Sequence, residues 1–245
     1  MLADKVLDLA RDSLNDAGDV QWELDEKIRY LNLGQLWLAD LKADSCALTQ
    51  AVQLAAGTRQ TLPERRNNGV LTPSLRFLKL IRNMGVDGLT PGPTILPADM
   101  EAMDRMHPDW HQDKAARPVR NYLFNPFNKA EYYVWPPVPS SPAVYVELKH
   151  VPAPLDVPLS TSKPRYIAEH AAIGVPDDFA YALAEFIAWR CYAKEDDLES
   201  KAVAAAHQQG FYQAIGMKAD KDAQQHPAER VPYQRQQPRD AALRG

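Results

Sequence analysis

Val175-Pro176-Asp177-Asp178-Phe179-Ala180-Tyr181-Ala182-Leu183-Ala184-Glu185-Phe186-Ile187-Ala188-Trp189-Arg190-Cys191-Tyr192 opens a run to Gly216 that holds no proline after Pro176 and repeats its apolar residues at helical spacing. Phe179, Leu183, Phe186, Ile187 and Cys191 follow the i, i+4, i+7, i+8, i+12 pattern of one helix face, while Tyr181, Trp189 and Tyr192 make a second, aromatic stripe. One stripe can be buried within the chain, and the second calls for a further partner. Pro176 suits a first helical turn, where its missing N–H costs nothing, and Asp177 and Asp178 place negative charge at the positive end of the helix dipole. Lys194-Glu195-Asp196-Asp197 breaks the run, and Asp196 with Glu199 has the spacing of a capping box, with Asp in place of Ser or Thr. A second helix then carries Leu198, Ala202, Ala205, Ala206, Phe211 and Ile215, with small residues and Gly210 allowing close approach of a neighbour, and is expected to stop near Gly216. The stretch reads as a helical hairpin.

The N-terminal end supplies partners for it. Leu2, Val6, Leu9, Ala10 and Leu14 predict an amphipathic helix over Leu2 to Asn15, stopped by Asn15-Asp16-Ala17-Gly18. After Trp22, a longer helix from Leu24 to about Asp44 has Leu24, Ile28 and Leu31 on one side and Tyr30, Leu33, Trp37 and Leu41 on another, with Gly34 in its middle as a place for close packing. The two helix pairs would bury their stripes as a small bundle. From Leu48 the period shifts toward two and proline becomes frequent. Val144, Val146 and Leu148 alternate with Tyr145, Glu147 and Lys149 in the clearest strand; Leu48 to Leu54, Leu75 to Arg82, Tyr122 to Phe127 and Glu131 to Trp135 are weaker ones. Turn signals at Ala56-Gly57, Asn67-Asn68-Gly69, Asp87-Gly88, Pro91-Gly92-Pro93 and Asn125-Pro126 divide them, and a short helix over Ala98 to Met106 interrupts them. Trp135 to Pro142 and Val151 to Pro164 are dense enough in proline to be edges or extended links. The expected fold class is therefore α+β: a helical bundle from N- and C-terminal pairs (1–46 and 165–217), an inserted small antiparallel β domain of about five or six strands (47–164), and an extended C-terminal arm (218–245). The arm has no apolar period and should be disordered alone, with Val231, Tyr233 and Leu243 as anchors for ordering on a partner.

Composition is that of a soluble globular chain: 245 residues, 45% hydrophobic, 24% charged. A net charge of −4 argues against a protein built to grip duplex nucleic acid. Arg59, Arg65, Arg66, Arg76, Arg82 and Lys79 concentrate positive charge in the β region, as a solvated face or, less favoured, a surface for DNA. Cys46 and Cys191 are expected to be reduced core thiols, and no segment approaches a membrane span or a secretory leader. There is no phosphate loop, no nucleophile elbow and no Cys-x-x-Cys pair. Asp104, His107 and His111 have helical spacing for three metal ligands, which would suit a metal-dependent hydrolase, but Pro108 disfavours helix at His107. His170 and His207 are isolated, so no catalytic residue, metal site or cofactor is expected.

The order of elements resembles the head-to-tail adaptor, or connector, proteins of tailed bacteriophages. The residues carrying the resemblance are the N-terminal helix pair with Trp22, the stretch Leu54-Ala55-Ala56-Gly57-Thr58-Arg59-Gln60-Thr61-Leu62-Pro63, Ile81-Arg82-Asn83, the Pro-rich β insert, and Val175-Pro176-x-x-Phe179 through Arg190-Cys191-Tyr192-Ala193-Lys194 to Ala206-His207 and Phe211. The resemblance implies a virion structural protein, made in the host cytoplasm and placed at the head–tail junction. It implies a homo-oligomeric, dodecameric ring that binds the portal protein on one side and a tail or nozzle protein on the other, with double-stranded DNA passing through and no membrane partner. Another neck or tail-completion component is the alternative within the same class. The arm positions expected to contact the portal are Lys218, Lys221, Arg230, Val231, Tyr233, Arg235, Arg239 and Arg244; those expected between subunits are Tyr181, Trp189, Tyr192 and Trp37.

Overall fold

A computed structural model describes residues 1–67, 69–159 and 171–225. The fold is α+β. Its helices are α1 (Ala3–Leu14), α2 (Leu24–Leu41), α3 (Met100–Met106), α4 (Ala180–Ala193) and α5 (Leu198–Gln225). Every residue of α4 from Ala182 to Ala188 is buried, so that part of the helix has no solvent face. A helix apolar all round must be covered all round, and α1, α2 and α5 each pack against it. The shared core includes Val6, Leu7 and Leu14 of α1, Ile28, Leu31 and Leu38 of α2, Phe179, Leu183, Phe186, Ile187 and Cys191, and Phe211 and Ile215 of α5. Close approach depends on two glycines: a Cβ at Gly34 would lie 2.9 Å from the Phe186 ring, and one at Gly210 would lie 2.6 Å from Glu185 Oε2.

Two helix limits differ from expectation. The N-cap of α5 is Asp197 and not Asp196, since the Ser200 N–H donates to Asp197 Oδ1 at 2.7 Å. The same helix does not stop near Gly216 but runs to Gln225. Met, Lys, Ala and Gln dominate that extension, and such residues propagate a helix already nucleated without any apolar period.

The corner between α1 and α2 is built on a buried ammonium. Asn15, at φ +51°, ends α1 in the left-handed region that Asn tolerates. Lys27 Nζ, fully buried, donates to Asp16 Oδ2 at 2.9 Å and Asp19 Oδ1 at 2.7 Å. Asp16 also accepts the N–H groups of Val20, Gln21 and Trp22, and Arg11 grips Asp19 with two hydrogen bonds of 3.0 and 2.7 Å. Burial alone would raise the Asp16 pKa, but Lys27 and the three N–H donors outweigh it and hold it at about 2.

Among the described residues the β region has ten strands, more than the five or six expected: β1 (Leu48–Gln53), β2 (Gly57–Thr61), β3 (Glu64–Asn67), β4 (Val70–Pro73), β5 (Arg76–Met84), β6 (Pro91–Thr94), β7 (Leu96–Pro97), β8 (Asn121–Phe124), β9 (Glu131–Val138) and β10 (Tyr145–Val151). They form one sheet in the order β1-β10-β5-β6, another in the order β2-β9-β8-β7, and a separate β3–β4 hairpin. All pairings are antiparallel except β7 with β8, which is parallel. The two four-stranded sheets share a core in which the Phe77 ring stacks on Tyr132 at 4.3 Å, beside Val134, Val138, Val146 and Leu148. Pro91-Gly92-Pro93 is the edge strand β6 rather than a turn. Trp135 to Val138 lies inside the central strand β9 despite Pro136 and Pro137. Proline lacks only the donor: the carbonyls of Trp135 and Pro137 still accept the N–H groups of Arg120 and Ala116 at 2.8 and 3.0 Å.

The chain leaves α2 for β1 and returns after β10 along the same helix. Asn32 Nδ2 donates to the Val157 carbonyl at 3.2 Å, and the Val157 N–H donates to Asn32 Oδ1 at 2.8 Å. Buried Gln35 donates to the Leu155 carbonyl at 3.5 Å and accepts the Gly174 N–H. Gly174 is required there, since a Cβ would lie 2.5 Å from the Leu155 nitrogen. The helical and β cores are bridged by ion pairs: Asp40 with Arg76 at 2.7 Å and Asp44 with Lys149 at 3.7 Å.

Lys27→Met leaves the buried Asp16 carboxylate without its cation, while Asp19 keeps Arg11, and should cost about 3–5 kcal/mol in denaturant unfolding. Because the Asp16 value is depressed from 3.8 to about 2, its contribution is complete above the ordinary value and is lost as pH falls from 3.8 toward 2. That slope should weaken in the variant. Two glycine substitutions should act in opposite directions: Gly34→Ala should lower the melting temperature through its clash with Phe186, whereas Gly216→Ala, where a Cβ meets nothing within 4 Å, should stabilise. The gain at Gly216 should be about 0.5–1 kcal/mol.

Candidate interaction surface

The four aromatic residues expected between subunits fall on α2 and α4 with different exposure. Trp189 is half-buried in an aromatic cluster, 5.7 Å from Trp37, 5.3 Å from Phe186 and 6.4 Å from Phe211. Tyr192 is also half-buried, edge-on to Trp22 at 5.1 Å and stacked on His207 at 5.8 Å. These two rings therefore find much of their packing inside the chain. Tyr181 and Trp37 remain open, at 57% and 38% exposure. Leu36 and Leu41 of α2 and Tyr212 of α5 are exposed as well. Exposed apolar and aromatic side chains thus occur on α2, α4 and α5, with Tyr181 at the start of α4.

Polar groups underneath hold this surface in place. Glu185 is buried on α4 and accepts a hydrogen bond from the His207 ring, Nδ1 to Oε2 at 2.9 Å, so His207 is not isolated. The Glu185 charge, and its hydrogen bond to the phenol, raise the Tyr181 pKa. At the other end of α4, the Arg190 guanidinium lies over the Tyr30 ring at 5.7 Å and the Trp189 ring at 5.9 Å. Burial, then the Glu26 carboxylate it donates to at 2.9 Å, pushes the Tyr30 phenol up to about 12. Glu26 in turn pairs with Lys194 at 2.6 Å, tying α2 to the end of α4. Lys27 and Glu185 are buried charges inside helices, which a hydropathy pattern passes over. Their signal is positional: Lys27 shares a helix face with Leu24, Ile28 and Leu31, and Glu185 is the lone acid between Ala180 and Trp189.

The candidate metal triad is not brought together. Asp104 Oδ1 accepts the Trp110 indole N–H at 2.9 Å, His107 pairs with Asp113 at 2.8 Å, and His111 Nδ1 lies 2.8 Å from Thr58 Oγ1. α3 ends at Met106, just ahead of the Pro108 step, so the three side chains never share a helix face. Among the described residues no group of three or more His, Cys, Asp or Glu is placed to hold a metal ion. Positive charge in the β region is largely answered: Arg59 by Glu131 at 2.5 Å, Arg76 by Asp40 at 2.7 Å, Arg82 by Glu147 at 2.9 Å. Lys79 and the hairpin residues Arg65 and Arg66 are exposed. A cavity of about 450 Å³ at the far end of the β region is lined by Met84, Val86, Pro91, Pro93, Arg117 and Val144 among others. Cys46 is half-buried and Cys191 buried, both as free thiols.

Of the arm positions, Lys218 and Lys221 fall on the last turns of α5. Arg230, Val231, Tyr233, Arg235, Arg239 and Arg244 lie outside the described residues. No described helix is long and apolar enough to cross a membrane.

The surface therefore offers exposed aromatics on a rigid helical support, and the one cluster suited to metal chemistry is dispersed among other partners. No curated protein matches the chain. A family model described as SU10 adaptor protein matches residues 1–232. That match takes in both helical ends and all of the β region, and the chain accordingly belongs to the SU10 adaptor protein family, a family of phage head-to-tail adaptors.

Proposed function

We propose that this chain is a non-enzymatic structural subunit of the virion neck, assembling as a homo-oligomeric, dodecameric ring that joins portal to tail around the DNA channel. The observation that carries the proposal is the family match over residues 1–232. The family is structural rather than enzymatic, and membership implies association with portal and tail components and a place in the virion. In this reading the four long helices act as one bundle, the β region between them faces the tail, and the segment from Lys218 to Gly245 clasps the portal. Subunit contacts run through Tyr181, Trp37, Trp189 and Tyr192. Two features support the subunit contact: Tyr181 and Trp37 leave aromatic surface in water, and a heterologous contact of that kind closes into a ring when its rotation permits. Ion pairing of Arg59, Arg76 and Arg82 within the chain suits a protein that surrounds DNA without gripping it.

Deleting residues 218–245 should abolish attachment to portal-containing heads while leaving the melting transition of the remaining chain cooperative; undiminished attachment would remove the arm from the proposal. The aromatic positions separate stability from assembly. Trp189→Ala removes core packing and should cost about 3–5 kcal/mol of folding stability, with a loss of assembly larger than that destabilisation explains. Tyr181→Ala, at an exposed site, should leave folding within about 0.5 kcal/mol yet reduce ring formation measured by sedimentation. Normal rings from Tyr181→Ala would take that residue out of the interface.

A further inference from the structure

The sheet β1-β10-β5-β6 is open along β1. The Leu54 N–H donates to the Val144 carbonyl at 2.9 Å, and the register runs without a break from Gln53 opposite Tyr145 to Leu48 opposite His150. Alternation in an antiparallel ladder then assigns the β10 bonds to Val52, Gln50 and Leu48, and turns the N–H and C=O groups of Thr49, Ala51 and Gln53 outward. All three residues are exposed, and no strand among the described residues pairs with that side. Leu48-Thr49-Gln50-Ala51-Val52-Gln53 carries no charge, proline or bulge, the devices that ordinarily keep an edge from pairing. The opposite edge of the same sheet, β6, is guarded by Pro91 and Pro93.

A second element of the same chain is also short of a neighbour. The β3–β4 hairpin is a sheet of its own, with four residues in each strand, and a two-stranded ribbon alone is marginal in water. Its β3 strand bears Arg65 and Arg66, whereas β4 is Val70-Leu71-Thr72-Pro73, uncharged like β1, with Leu71 exposed and a proline only at its last position, where the carbonyl still accepts.

We infer that β4 of one copy adds to the open β1 edge of the next, so that main-chain hydrogen bonding passes from copy to copy around the ring. This rests on the ring assembly proposed above. Each copy gives the β4 edge of its ribbon and receives on β1, which makes the contact heterologous, and closure of the ring leaves neither of those two edges unpaired. Backbone bonds supply the attraction in strand addition. Charge favours the approach, since Arg65 and Arg66 of the hairpin are exposed, as is Asp44 just before β1, which Lys149 meets at 3.7 Å while leaving it open to water.

The test uses full-length chains assembled on portal-containing heads. Ala51→Cys chains are mixed with Leu71→Cys or with Thr72→Cys chains, one for each face of β4, and treated with a short bis-maleimide that spans direct and diagonal cross-strand neighbours, about 4.5–8 Å apart. All chains carry Cys46→Ser, and the remaining native thiol, Cys191, is buried, which also raises its pKa. One of the two mixtures should give covalent dimers, exceeding either variant alone by about tenfold, because neighbours held side by side react at high effective concentration. Linked dimers from Ala51→Cys alone would show β1 meeting β1, and linkage of Ala51→Cys to a tail component would show another occupant; either result overturns the pairing. Rings on the heads with no linkage in either mixture would also overturn it while leaving the ring intact. Heads without rings would overturn the ring and this contact together.

Discussion

The burial of α4 on every side is the constraint from which the helical half follows. A surface helix needs one covering layer, but Ala182 to Ala188 have no solvent face and need several. The cover comes from opposite ends of the chain, so the termini of the helical region must meet. They do so through backbone as well as side chains: Ala3 N–H donates to the Ala171 carbonyl and Ile173 N–H to that of Met1, at 2.9 and 3.1 Å. The alanines that alternate with Leu183, Phe186 and Ile187 let neighbours come near, and Gly34 and Gly210 bring α2 and α5 closer still.

Polar groups inside this core act as register marks. Glu185 fits only where α5 offers His207 and Gly210 together, and Lys27 fits only where the α1–α2 corner offers Asp16 and Asp19. A helix sliding by one turn would strand a charge in apolar surroundings, at a cost of several kcal/mol. Apolar packing tolerates small shifts, and these pairs do not. Aromatic surface on the outside is thus held at a defined spacing by ionic contacts beneath it.

Much of the helical architecture was legible in the amino-acid sequence because its period was strong. Phe179, Leu183, Phe186, Ile187 and Cys191 are all buried as their spacing implied, and Asn15 ends α1 in the left-handed turn that its neighbours suggested. The β region was read less well, for identifiable reasons. Strand β5 buries Phe77, Leu80 and Asn83, a spacing of three, because register shifts opposite β10 insert extra residues and spoil the alternation that marks a strand. Pro136 and Pro137 argued against a central strand, yet the carbonyls of Trp135 and Pro137 still accept hydrogen bonds there. The aromatic stripe of α4 was visible, but periodicity could not distribute its members: Trp22 and His207, remote in sequence, claim Tyr192, and Trp37 claims Trp189. The Asp104, His107 and His111 spacing was local, and each side chain answered to a nearer partner.

The amide clamp of Asn32 and Gln35 has a consequence for how such a chain can change over time. Because departure and return of the chain are fixed on one helix, the β region is a closed excursion whose ends are already set. Altering its length changes the entropy of closure only logarithmically, by about 0.6 kcal/mol for each doubling. Between β1 and β10 the helical frame is therefore met chiefly where Arg76 and Lys149 reach Asp40 and Asp44. Loops and strands elsewhere in the excursion could be lengthened or exchanged while the packing of α1, α2, α4 and α5 stays as it is.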